Sequence, residues 1–177
     1  ESLCSSLCIY VVVRRQSDTR DLFTLVQERS ATMTSYKIVS TNRVGAGSYY
    51  RISHDSTSTK TSMTFGLFLP SRFATNIDES AINKENVLVI YWLSGLTCDD
   101  TNFAMKAGAF SHAERENVAL VMPDTSPRGE DVPNVDSYDL GVGAGFYVNA
   151  TEEPYSKHYH MYTYVTEELP ALLESQF

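Results

Sequence analysis

Two short, continuously apolar runs constrain this chain more than any other feature: Val87–Leu93 (Val-Leu-Val-Ile-Tyr-Trp-Leu) and Val118–Met122 (Val-Ala-Leu-Val-Met). A strand with one face in water alternates polar and apolar residues, so a run apolar at every position calls for cover on both faces. Between the runs, Phe103, Ala107, Phe110 and Ala113 recur at helical spacing, and Asp99, Asp100 or Thr101 can cap that helix. Met161, Val165, Leu169 and Leu172 share one face of a further helix, which must kink or restart at Pro170 because proline has no amide hydrogen. Strand–helix–strand–helix order predicts a parallel sheet flanked by helices.

Upstream the pattern is antiparallel. Tyr36–Val44 and Tyr49–Asp55 are β-rich runs separated at Gly45-Ala-Gly47, and Ser56–Thr61 turns the chain. Met63, Phe65, Leu67 and Leu69 alternate with Thr64, Gly66 and Phe68, the pattern of a strand with one buried face, and Pro70 ends it. The expected fold class is therefore α/β, with antiparallel edge strands leading into a mostly parallel sheet. Ser71–Glu85 reads as a polar loop. The last buried strand is expected to lack its next neighbour, which leaves open backbone groups and a tendency to aggregate. Residues 1–32 read differently: the apolar stretch Leu3–Val13 has Arg14 and Arg15 after it, the reverse of a secretory signal, and no cleavage site is evident. They are expected to form a leader outside the fold, with the domain at 33–177 and both ends of the chain cut.

Composition narrows the partners. Fourteen basic and twenty-two acidic residues give a net charge of −8, which argues against nucleic acid. No apolar run approaches the ~20 residues of a membrane span. Three cysteines form no disulfide framework and fit a cytoplasmic protein. His54, His112, His158 and His160 accompany no HExxH or CxxC, and Asp124, Asp131, Asp136 and Asp139 lack the calcium-loop spacing, so neither a metal nor another cofactor is expected. Gly141-Val-Gly143-Ala-Gly145 lacks the spacing of a phosphate-binding loop and reads as a tight loop passing close to a site.

Ser94-Gly95-Leu96-Thr97-Cys98 carries the clearest chemical signal, because it leaves a buried strand and enters a helix. Unpaired amides there could face a developing oxyanion during acyl transfer; taken alone, the motif fits a tight strand–helix turn better, because such turns are common in α/β folds. Cys98 could be a thiolate at a helix N-terminus, but Asp99 and Asp100 oppose a second negative charge, so a small, partly buried thiol is the better reading. A serine hydrolase needs Gly-x-Ser-x-Gly, and no serine here meets that pattern; Trp92 and Leu96 occupy the glycine positions around Ser94.

Five segments in order are far more specific than any one: Tyr91–Cys98, Asn102-Phe103, Pro123-Asp-Thr-Ser-Pro-Arg-Gly129, Gly143-Ala-Gly-Phe-Tyr-Val-Asn-Ala-Thr-Glu152 and Met161-Tyr-Thr-Tyr-Val-Thr-Glu-Glu-Leu-Pro170. Together they resemble S-formylglutathione hydrolase (esterase D) from about Ser35 to Phe177. The resemblance implies an α/β-hydrolase fold, here incomplete, and hydrolysis of S-formylglutathione to glutathione and formate in cytosolic formaldehyde detoxification. It implies serine acyl transfer with a Ser, Asp, His triad, no metal, no membrane partner, and room for a homodimer of the complete protein. Leu96 matches the position whose backbone N–H forms half of the oxyanion hole. Ser94, Gly95, Thr97 and Cys98 lie near that site, Cys98 matching a thiol-reagent-sensitive cysteine that is not the nucleophile. Gly143–Tyr147 and Asp124–Arg128 match segments around the active-site entrance. The triad follows one more strand, so the resemblance implies that all three residues lie beyond this chain and that the chain alone is inactive. The alternatives are a non-catalytic shortened variant acting as an interaction protein, and a related carboxylesterase.

Overall fold

The structure, a computed structural model, describes residues 12–14, 35–73 and 87–177. Its strands are β1 (Val12–Arg14), β2 (Tyr36–Val44), β3 (Gly47–Asp55), β4 (Ser62–Leu69), β5 (Leu88–Tyr91) and β6 (Val118–Pro123). Its helices are α1 (Asn102–Lys106), α2 (Phe110–Glu116), α3 (Met161–Thr163) and α4 (Leu169–Gln176), with a π-helical turn at Tyr164–Glu168 between the last two.

Gly45, at φ +63°, takes the left-handed conformation that closes the hairpin between β2 and β3, where Val44 pairs with Gly47. β3 and β4 pair antiparallel, Ser48 with Leu69 through Asp55 with Ser62. The sheet order is β1-β5-β6-β4-β3-β2. The crossover through α1 and α2 returns β6 to lie parallel to β5 on one side and antiparallel to β4 on the other. The expectation that this last buried strand lacks a neighbour is thereby corrected. Periodicity reports which faces are covered, not which strands are adjacent, and β6 inserts between two existing strands.

β4 also differs from expectation. Phe65 and Leu67 are buried, and so are Gly66 and Phe68 on the opposite face. A strand between β3 and β6 has layers on both sides. On one face Ile52, Phe65, Leu67 and Val121 pack with Met161, Tyr164, Leu169 and Leu172 of the closing helices. On the other, Tyr49, Phe68, Leu120 and Met122 pack with Phe103, Phe110 and Ala113 of α1 and α2. β6 is buried along its whole length, as its unbroken apolar run requires. β5 is shorter than Val87–Leu93, and Leu88, Val89 and Ile90 are half-buried.

The helix expected across Phe103–Ala113 is two helices, because Gly108 at φ +63° breaks the turn between them. The closing helix restarts where Pro170 predicts: α4 carries that proline in its first turn, directly after the π-helical turn. Of the leader, Val12–Arg14 pair antiparallel with β5, Val12 opposite Tyr91 and Arg14 opposite Val89. The rest of residues 1–32 and most of the Ser71–Glu85 loop lie outside the described residues. Among the described residues no helix is long and apolar enough to cross a membrane.

Candidate active site

β5 and β6 run parallel, so the loops at their carboxyl ends, Ser94–Cys98 and Asp124–Arg128, emerge at the same edge of the sheet, where ligands bind in open α/β sheets. The first loop is a tight turn in which Cys98 N donates to Gly95 O at 3.2 Å. Thr97 sits at φ +64°, a left-handed conformation that a β-branched residue rarely adopts. Such a residue persists only when its surroundings impose it, at a cost of about 1–3 kcal/mol.

Hydrogen bonds from distant segments impose it here. Thr97 N donates to Gly143 O at 2.7 Å. The Tyr147 hydroxyl donates to Ser94 O at 2.7 Å. Thr125 Oγ1 donates to Cys98 O at 2.6 Å, and Arg128 Nη2 reaches the same carbonyl at 3.3 Å. Arg128 is in turn held by Asp124 through Nε at 2.7 Å and Nη2 at 2.9 Å, and its charge is reinforced by that carboxylate. Ser126 Oγ accepts from Gly143 N at 2.8 Å, which ties the glycine loop to the end of β6.

Each expected site residue therefore has a place. Ser94 is buried, Gly95, Leu96 and Cys98 are half-buried, and Thr97 is exposed. The buried Ser94, beside Tyr147, is part of the framework. Burial pushes the Tyr147 phenol far above its ordinary pKa, with the Asp124 carboxylate adding to the effect, so this hydroxyl stays a donor. Asp99 does not cap α1 as the helix's N-cap residue; Thr101 takes that position, and Asp99 Oδ1 accepts from Thr101 N at 2.8 Å and Thr101 Oγ1 at 2.7 Å. Asp100 turns inward instead, wholly buried against Arg51.

The glycine loop behaves as its composition suggests. Gly141, Gly143 and Gly145 all have positive φ, and Gly145 lies against the Gly95–Leu96 peptide. Beside this contact opens a cavity of about 270 Å³. It is lined by the buried Thr125, Ser126 and Ala144, the half-buried Tyr155 and Tyr159, and an exposed rim of Leu140, Phe146 and Val148. The rim side chains are 43%, 56% and 60% exposed, an unusual concentration of solvent-facing apolar surface. Glu152 is the only charged residue in the lining.

The histidines stay apart from this arrangement. His54 bonds Tyr164 and His158 bonds Thr59 O; His160 bonds Ser156 O and His112 contacts Arg115. Sequence reasoning missed the parts played by Tyr147, Thr125 and Arg128. Each acts on a backbone carbonyl, and a partner of that kind leaves no mark in the sequence.

A family model described as "Putative esterase" matches residues 56–177. Among solved structures, the S-formylglutathione hydrolase from Agrobacterium tumefaciens is 42% identical in sequence, with a TM-score of 0.72. The match covers 79% of this chain and 48% of that one, so the chain spans about half the length of this solved relative.

Proposed function

Because the chain belongs to the esterase family, we propose that the protein to which these residues belong hydrolyses S-formylglutathione to glutathione and formate. The observation that carries this reading is the Ser94–Cys98 loop. It leaves a strand at the edge where the sheet's loops converge, and four separate contacts hold it in a conformation that Thr97 would not adopt unaided. A backbone donor fixed in advance is what acyl transfer needs, because it stabilises the tetrahedral oxyanion without reorganising during the reaction.

In the proposed reaction a serine oxygen attacks the thioester carbonyl while a histidine takes its proton, and the Leu96 N–H supports the negative charge on the former carbonyl oxygen. Collapse expels glutathione thiolate, which receives the proton, and water then releases formate from the acyl-serine. No serine among these 177 residues meets Gly-x-Ser-x-Gly, so the 177-residue chain is expected to show no turnover. Hydrolysis of S-formylglutathione by the protein carrying its triad, abolished by a serine-directed inhibitor, is the test. Turnover by the 177-residue chain that is lost in Cys98→Ala yet survives such an inhibitor would refute it and make Cys98 the nucleophile.

The cavity supports one second reading. Its walls are uncharged apart from Glu152, which suits a neutral oxygen ester better than the charged tripeptide of a glutathione thioester, and so supports a related carboxylesterase. Relative kcat/KM for S-formylglutathione and an aryl acetate separates the two. The proposed setting is cytoplasmic.

A further inference from the structure

We propose that Gly145 and Tyr147 are positioning residues that set the direction of the Leu96 N–H; this rests on the reading of that amide as an oxyanion donor. Three consecutive peptide groups of the Ser94–Cys98 loop are touched by three alternate residues of one segment. Tyr147 holds Ser94 O, Gly145 lies against the Gly95–Leu96 peptide, and Gly143 O receives Thr97 N. Gly95 O faces into the turn, where it accepts from Cys98 N. In a trans peptide the N–H points opposite the carbonyl, so the Leu96 N–H is aimed out of the turn.

Gly145 packs on the peptide unit itself. A Cβ added there would stand 3.0 Å from Gly95 C, 3.2 Å from Gly95 O and 3.2 Å from Leu96 N. All three neighbours are backbone atoms, so no side chain can swing aside; relief shifts the peptide against the Gly145 segment, and a tilt of the peptide carries the N–H with it. Glycine is also suited to φ +73° at this position. Tyr147 fixes the preceding peptide through a half-buried phenol, and losing its hydroxyl frees Ser94 O to rotate.

The test compares Gly145→Ala and Tyr147→Phe with Asn149→Ala, which removes hydrogen bonds from the same stretch of chain to Thr163 without touching Ser94–Thr97. In the protein carrying its triad, the first two variants should lower kcat about 10- to 100-fold, less than the ~10²–10³-fold loss of a whole donor, with KM within about threefold. Asn149→Ala should lower the melting temperature with kcat retained. In the 177-residue chain, the Leu96 amide ¹H–¹⁵N resonance should move in the first two variants and stay in the third. Unchanged kcat with raised KM, or a Leu96 resonance that stays put in both variants, would overturn the proposal. If the unsubstituted protein with its triad does not hydrolyse the thioester, the functional reading fails and the amide resonance alone decides this inference.

Discussion

Asp100→Ala should loosen the candidate site from behind. Asp100 is wholly buried and accepts two hydrogen bonds from Arg51 of β3, from Nε at 2.5 Å and from Nη2 at 2.9 Å. The pair ties the start of α1 to the sheet, and the bond to Asp100 raises the Arg51 pKa further. A hydrogen bond to a charged partner contributes about 1.5–3 kcal/mol. The Arg51 side chain is 37% exposed, so water recovers part of what it loses when the carboxylate goes. We therefore expect a coupling energy of about 2 kcal/mol, or about 30-fold in the unfolding equilibrium. The single variant should cost more than that, because alanine also leaves a void. The assay is urea unfolding of Asp100→Ala, Arg51→Met and the double variant, followed by fluorescence. Trp92 is the only tryptophan and stacks on Phe103 of α1 with ring centroids 4.1 Å apart, so it reports on the region the pair anchors. A coupling below about 0.5 kcal/mol, the scale of an exposed ion pair, would refute the reasoning.

His54 is buried and hydrogen-bonds the Tyr164 hydroxyl at 3.1 Å; burial holds its pKa below the ordinary value. The unfolded chain therefore binds the proton first, so His54 contributes stability that is present above about pH 6.5 and lost as pH falls below it. Urea midpoints at two pH values on either side should show this loss, and an equal loss in His54→Gln would count against it. Glu168 accepts from Ser56 Oγ at 2.9 Å, Thr57 N at 2.7 Å and Ser58 N at 2.9 Å. Burial pushes its pKa up, but those bonds outweigh it and the net shift is downward. Its contribution should vanish as pH falls through the acid range, and Glu168→Ala should remove that part of the acid unfolding profile. Gly47→Ala would place a Cβ 2.7 Å from Phe68 Cζ and 2.8 Å from Leu69 O. The carbonyl is backbone and cannot swing aside, so a loss of about 1–3 kcal/mol is expected, and an unchanged melting temperature would refute it.

Much of the fold was legible because burial leaves a periodic trace. Val118–Met122 is apolar at every position, and β6 is covered on both faces. Met161, Val165, Leu169 and Leu172 are all buried on the face their spacing defines. What the pattern does not encode is adjacency. Nothing in the apolar run of β6 distinguishes a strand at the end of the sheet from one inserted between β4 and β5, and the alternation along β4 predicts one buried face although Gly66 and Phe68 break its polar side.

The site divides along the same line. Gly95 and the following helix marked Ser94–Cys98 as a turn. Local chemistry would ask for glycine where Thr97 takes φ +64°, and the sequence has threonine. The conformation is imposed from Gly143, and its neighbours are fixed by Tyr147, Thr125 and Arg128, all remote in the chain. The glycine spacing at 141, 143 and 145 signalled that a backbone passes close to something, without saying to what. A loop whose local residues disfavour its shape takes that shape only when the distant segment is docked, so the orientation of the Leu96 amide is a tertiary property. For that reason, changes at Gly145 or Tyr147 should reach it without altering a residue of the loop itself.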